Sequence, residues 1–112
     1  MTIKLAATPP PTEGKAVVYE INLPSELAAG ASITGNIKAQ NIGAVEDTIR
    51  ILITTQWDGA QYQGSGLVPV NSLLTVTIGS GVITMPSLDA VIKIEAQHLE
   101  GTAYVTDDTK SH

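Results

Sequence analysis

His98, Glu100, Asp107 and Asp108 are the residues whose types best suit acid–base or metal chemistry. An imidazole becomes a general base when a carboxylate within hydrogen-bond reach orients it. Here His98 ends one extended segment, and the aspartates lie in the next, beyond Glu100-Gly101. Placing them at the far end of that hairpin, at ~3.3 Å per residue, puts them roughly 20 Å from the ring, too far to orient it. His98 is therefore expected to be a structural or surface residue near Tyr104, Asp107-Asp108 a solvated acidic terminus, and His112 part of a frayed tail. A calcium site needs several converging oxygens, and Glu100, Asp107 and Asp108 do not follow a calcium-loop spacing. Zinc needs three or four ligands and finds one plausible donor. No metal is expected.

Gly64-Ser65-Gly66 contains the centre of a nucleophile elbow, but no helix follows it. Neither it nor Gly79-Ser80-Gly81 is followed by the Lys-Ser/Thr pair of a phosphate-binding loop. Both read as turns. Cysteine is absent, which removes a thiolate nucleophile, a thiolate metal site and disulfides together. The expectation is a protein that is not an enzyme and carries no cofactor. Trp57, Asp58, Gln61, Tyr62 and Gln63 offer another chemistry, since sugars stack on aromatic rings and bond to amides. The plainer reading makes Trp57 a plug at the end of the core, its indole N–H seeking a partner, with the glutamines and Tyr62 as a polar loop rim.

The elements that must position these residues follow from length and composition. The chain has 112 residues, the size of one domain. A formal charge of −5 gives no basic footprint for a phosphate backbone, so no nucleic-acid partner is expected. No apolar run approaches the ~18 residues of a membrane span, so membrane insertion is not expected either. Thirty-four positions are Ile, Val or Thr, whose branched side chains pack well on pleated strands. The alternation bears this out.

From Lys15, Val17, Tyr19, Ile21 and Leu23 fall on one face, with Val18, Glu20 and Asn22 on the other. Ile33, Gly35, Ile37 and Ala39 mark a second strand. Ile49, Ile51, Ile53, Thr55 and Trp57 mark a third, opposite Thr48, Arg50, Leu52, Thr54 and Gln56. Asp58-Gly59 predicts a tight reversal, followed by a short strand at 61–63. Leu73–Ile78, Val82–Met85, Ala90–His98 and Thr102–Thr109 complete the set, and Ser25–Ala29 is the one helix candidate, a single turn at most. Seven or eight short strands punctuated every eight to twelve residues predict an all-β, two-sheet antiparallel immunoglobulin-like sandwich. Residues 1–14 read as an extended Pro-rich arm and 15–112 as the sandwich domain.

Leu23-Pro24-Ser25-Glu26, Gly30, Ile33, Ile37 and Asn41-Ile42-Gly43 resemble the opening half of small immunoglobulin-like domains of the CARDB and fibronectin III-like type. Thr84-Met85-Pro86-Ser87, Val91–Ala96 and Tyr104–Asp108 are similar to the closing half. Such domains recur in archaeal surface proteins and in virus or phage structural proteins, as modules that project, space or adhere. The resemblance implies a structural module of a larger assembly, capsid-associated, decorating or spike-like. Its partners would be protein subunits of that assembly, with a glycan- or cell-surface-binding adhesin as the alternative. The first residues lack the long apolar stretch of a secretory signal, so a virion or cell surface reached without a signal peptide is the expected location. Ile3 and Leu5, alternating with Thr2 and Lys4, suit addition to an exposed sheet edge. Pro9, Pro10 and Pro11 would hold that piece away as a tether.

Overall fold

The computed structural model describes residues 14–112. The tether residues Ile3, Leu5, Pro9, Pro10 and Pro11 lie outside the described residues. Among the described residues, seven antiparallel strands form two sheets: β1 (Ala16–Asn22), β2 (Gly35–Asn41), β3 (Asp47–Thr55), β4 (Gln61–Val68), β5 (Leu73–Ile78), β6 (Ile92–Glu100) and β7 (Ala103–Ser111). The order is β1-β2-β5 in one sheet and β4-β3-β6-β7 in the other. This is an immunoglobulin-like sandwich in which the fourth strand pairs with the third. In constant-type antibody domains the fourth strand instead joins the fifth.

The alternating isoleucines explain the core. Ile37, Ile49, Ile51, Ile53 and Ile94 are fully buried between the sheets, with Ala16, Ala39 and Ala96 filling the narrower places. Trp57 lies past the end of β3, in the turn, and packs half-buried on this core rather than extending the strand.

Four expectations need correction. In β1 the pairing register shifts between Val18 and Glu20, leaving Tyr19 as an extra residue. The bulge reverses the alternation, so Ala16, Val18 and Ile21 turn inward and Tyr19 is exposed. Gly64-Ser65-Gly66 is not a turn but the middle of β4. A Cβ on Gly64 would come within 2.6 Å of Val76 Cγ2, and one on Gly66 within 3.3 Å of Leu74 Cδ1. At Gly64, β4 and β5 from opposite sheets approach too closely for a side chain unless Val76 moves, whereas at Gly66 the end of Leu74 need give by only a few tenths of an ångström. Val82–Met85 makes only an isolated bridge between Ser32 and Thr84, held by Ile33 N–H to Ile83 O and Met85 N–H to Ala31 O, both 2.8 Å. Ser25–Ala29 forms no helical turn.

The chain crosses from β4 to β5 in a tight turn, where Ser72 N–H donates to Pro69 O and Asn71 adopts φ of 65°. Asparagine tolerates that left-handed position at the third residue of the turn.

Candidate interaction surfaces at the two ends

The β1 edge of one sheet stands beside the β7 edge of the other, and β7 carries Asp107 and Asp108. Ala96 pairs with Asp108 and Gln97 with Thr106, so Asp107 is the extra residue of a bulge. That bulge aims both carboxylates at β1. Asp107 Oδ2 accepts from Ala16 N–H and Asp108 Oδ2 from Val18 N–H, each at 2.9 Å. Edge strands leave such amides unpaired; here side-chain oxygens pair them and join the two sheets.

The same Asp107 Oδ2 lies 2.6 Å from His98 Nδ1. This overturns the expected separation of roughly 20 Å and the reading of the aspartates as a solvated terminus. Val105, not Tyr104, lies opposite His98, so Asp107 is two residues along from that position, and the bulge swings it inward. His98 is buried, and the carboxylate assigns the proton to Nδ1. Glu100 Oε2 stands 3.7 Å from Nε2. The pair lines a cleft of about 430 Å³ with Gly14, Lys15, Ile42, Gly43 and Ala44, none of which carries a hydroxyl or thiol. Among the described residues, no group of three or more His, Cys, Asp or Glu side chains could hold a metal ion.

Asn41 organises the same end. Its side-chain oxygen accepts from Lys15 and Gly43 N–H, and its amide donates to Val45 and Val68 carbonyls, both at 2.9 Å. One buried side chain thus holds the chain entry, the β2–β3 loop and the end of β4. Around it Ile42, Val45 and Val70 are exposed. Gly14 fixes the entry: its N–H donates to Asp47 Oδ2 at 3.0 Å, and a Cβ there would meet Asp47 Cβ at 2.5 Å.

At the opposite end a cavity of about 540 Å³ opens between the β1–β2 and β5–β6 connections. Its walls are Leu23, Leu27, Ile33, Met85 and Ile92; Glu26 and Asp89 lie at its polar margin. His112, expected in a frayed tail, instead exchanges backbone hydrogen bonds with Ile92 in both directions, and its Nε2, 3.1 Å from Pro24 O, borders the cavity. Leu88, Val91 and Val82 are exposed at this end.

The β3–β4 turn also lies here. Asp58 Oδ1 accepts from the Thr55 hydroxyl and from Ala60 N–H, and Gly59 sits at φ of 72°. The Thr55 hydrogen bond, then the Ala60 amide, hold the Asp58 carboxyl below the usual carboxylate range. Trp57 and Tyr62 pack against the core, while Gln61 and Gln63 point outward. The rings and those amides therefore do not share a face.

A polar cluster unforeseen from the sequence crosses the outer face of the four-stranded sheet. Arg50 Nε donates to Gln97 Oε1 at 2.6 Å and Nη1 to Gln63 Oε1 at 3.1 Å, with the guanidinium 3.9 Å from the Tyr104 ring centroid. Gln97 Nε2 donates to Thr106 Oγ1, and Thr106 donates to Glu95 Oε2. Arg50 is the only arginine in the chain, and its outward position on the third strand was the available signal.

Comparison with protein-family models returns no match to this chain, and comparison with curated proteins likewise returns none.

Proposed function

We propose that this chain is a non-enzymatic structural module of a larger protein assembly, with a virion surface as the setting suggested by its resemblance. One observation carries the reading: aliphatic side chains are exposed at both ends of the sandwich, Ile42, Val45 and Val70 at one and Val82, Leu88 and Val91 at the other. Apolar side chains left exposed at the same end of a sandwich suit contact with other proteins. The ends are also held firmly, one by Asn41 and the other by the Ser32–Thr84 bridge. An adhesin reading through Trp57, Asp58, Gln61, Tyr62 and Gln63 has less support, because its rings pack inward.

Light scattering over a range of concentrations tests the proposal. The expected result is a mass that rises above the monomer with concentration. A monomer at all concentrations that binds a glycan array would replace this reading with the adhesin.

A further inference from the structure

We propose that residues 2–5 of one copy seat in the 540 Å³ end cavity of the next copy, so that the chain assembles head to tail through its own N-terminal segment. The inference rests on the assembly reading above and names the partner as a second copy of this chain.

The cavity defines its occupant by chemistry. Aliphatic walls that include Leu23, Leu27, Ile33 and Met85 call for aliphatic side chains, and Glu26 and Asp89 call for a cation beside them. Its volume falls within the ~300–1,000 Å³ of pockets that enclose compact ligands. Residues 1–13 contain that combination once: Ile3 and Leu5, two apart and so on one side of an extended chain, with Lys4 between them. Lys4 would stand on the outer side, where its flexible stem can carry the ammonium to the rim.

The prolines, rather than distance, favour an intermolecular contact. The segment joins the sandwich at Gly14, pinned by Asp47 at the Asn41 end. The cavity lies past the far end of β1, whose seven residues cover about 23 Å at 3.3 Å each. Between Leu5 and Gly14 the chain contains Pro9-Pro10-Pro11. Prolines have no N–H to give a sheet edge, so a path back along the chain's own body forfeits ladder bonds. If projected outward, residues 6–13 would span up to about 25 Å at ~3.1 Å per residue, enough for a neighbour stacked end to end. The surfaces then brought together are the exposed aliphatic ends, Ile42, Val45 and Val70 against Leu88 and Val91. Such a contact joins unlike surfaces and builds a ring or a filament rather than a closed pair.

Charge exchange in the full-length chain tests this. Lys4→Glu makes the segment acidic, and Glu26→Lys with Asp89→Lys makes the rim basic; both rim residues are exposed, so folding should survive, as circular dichroism would check. By light scattering, wild type should assemble, and each variant alone should need at least tenfold higher concentration. An equimolar mixture of the two variants should recover wild-type assembly, because each segment then meets a rim of opposite sign. Ile3→Asp with Leu5→Asp should abolish assembly, and no rim charge should rescue it. Wild-type assembly that all these variants share would overturn the insertion and leave the assembly reading standing. A mixture that fails to recover would also overturn the insertion, and a monomeric wild type would overturn both.

Discussion

At the scale of single residues, two carboxylates do what a neighbouring strand would otherwise do. Asp107 and Asp108 pair the outward amides of Ala16 and Val18. Removing a partner from such an amide costs about 1–3 kcal/mol, because the donor stays desolvated. Asp107→Ala should therefore destabilise by that amount in urea, and more than Asp107→Asn, which keeps an oxygen for Ala16. Amide exchange separates the two links: Asp107→Ala should speed exchange at Ala16, and Asp108→Ala at Val18. Equal exchange in all variants would mean that the carboxylates leave β1 unprotected. Glu95 supplies a pH dependence. The Lys93 ammonium, 2.9 Å away, is the main cause holding its carboxyl below the usual range, with Thr106 adding to it. A lowered folded value means that stability is full above the unfolded value near 4.5 and is lost as pH falls through the folded one. The urea midpoint should fall over that window, and Lys93→Met should flatten the fall.

At the scale of elements, glycine in β4 sets how closely the sheets approach. Gly64→Ala puts a methyl 2.6 Å from Val76 Cγ2, so β4 and β5 must separate or Val76 must turn. Overpacking of this kind costs roughly 1–3 kcal/mol; Gly64→Ala with Val76→Ala should regain part of it, read as the melting temperature of the double variant. Indifference to Gly64→Ala would show that the edge has room. These glycines also mark what was legible in the sequence. Period-two alternation put Ile49, Ile51, Ile53, Thr55 and Trp57 on one face; the first four are buried there, because a residue's face on a regular strand depends only on counting, whereas Trp57 lies past the strand's end and is half-buried. Counting fails at bulges. Tyr19 and Asp107 are each one residue too many for their partners, and the side chains beyond them change face. The His98–Asp107 contact was hidden for that reason, and the Asn41 hub because its partners at Val45 and Val68 belong to different connections. Glycine in β4 looked like a turn because only the opposite sheet, not the local sequence, demands it.

At the scale of the whole molecule, the two ends are unlike, and that decides how copies meet. The entry end exposes Ile42, Val45 and Val70; the far end exposes Leu88 and Val91 beside a cavity. Two like ends facing each other would make a closed dimer, whereas unlike ends propagate. Substitution at one end distinguishes these cases. Leu88 is 63% exposed, so Leu88→Asp should leave the fold intact while placing a charge in an end contact. In a propagating assembly such a copy still attaches through its entry end, but its far end accepts no further copy. Growth stops there. A small fraction of Leu88→Asp mixed into wild type should then shorten assemblies far out of proportion to its amount, by sedimentation or light scattering. Ile42→Asp, at the opposite end, should terminate growth in the other direction, and the two variants together should form mainly pairs through their intact ends. In a closed dimer the same additions would only dilute wild-type pairs in proportion. A linear loss of mass with added Leu88→Asp would therefore reject propagation and point to contact between like ends.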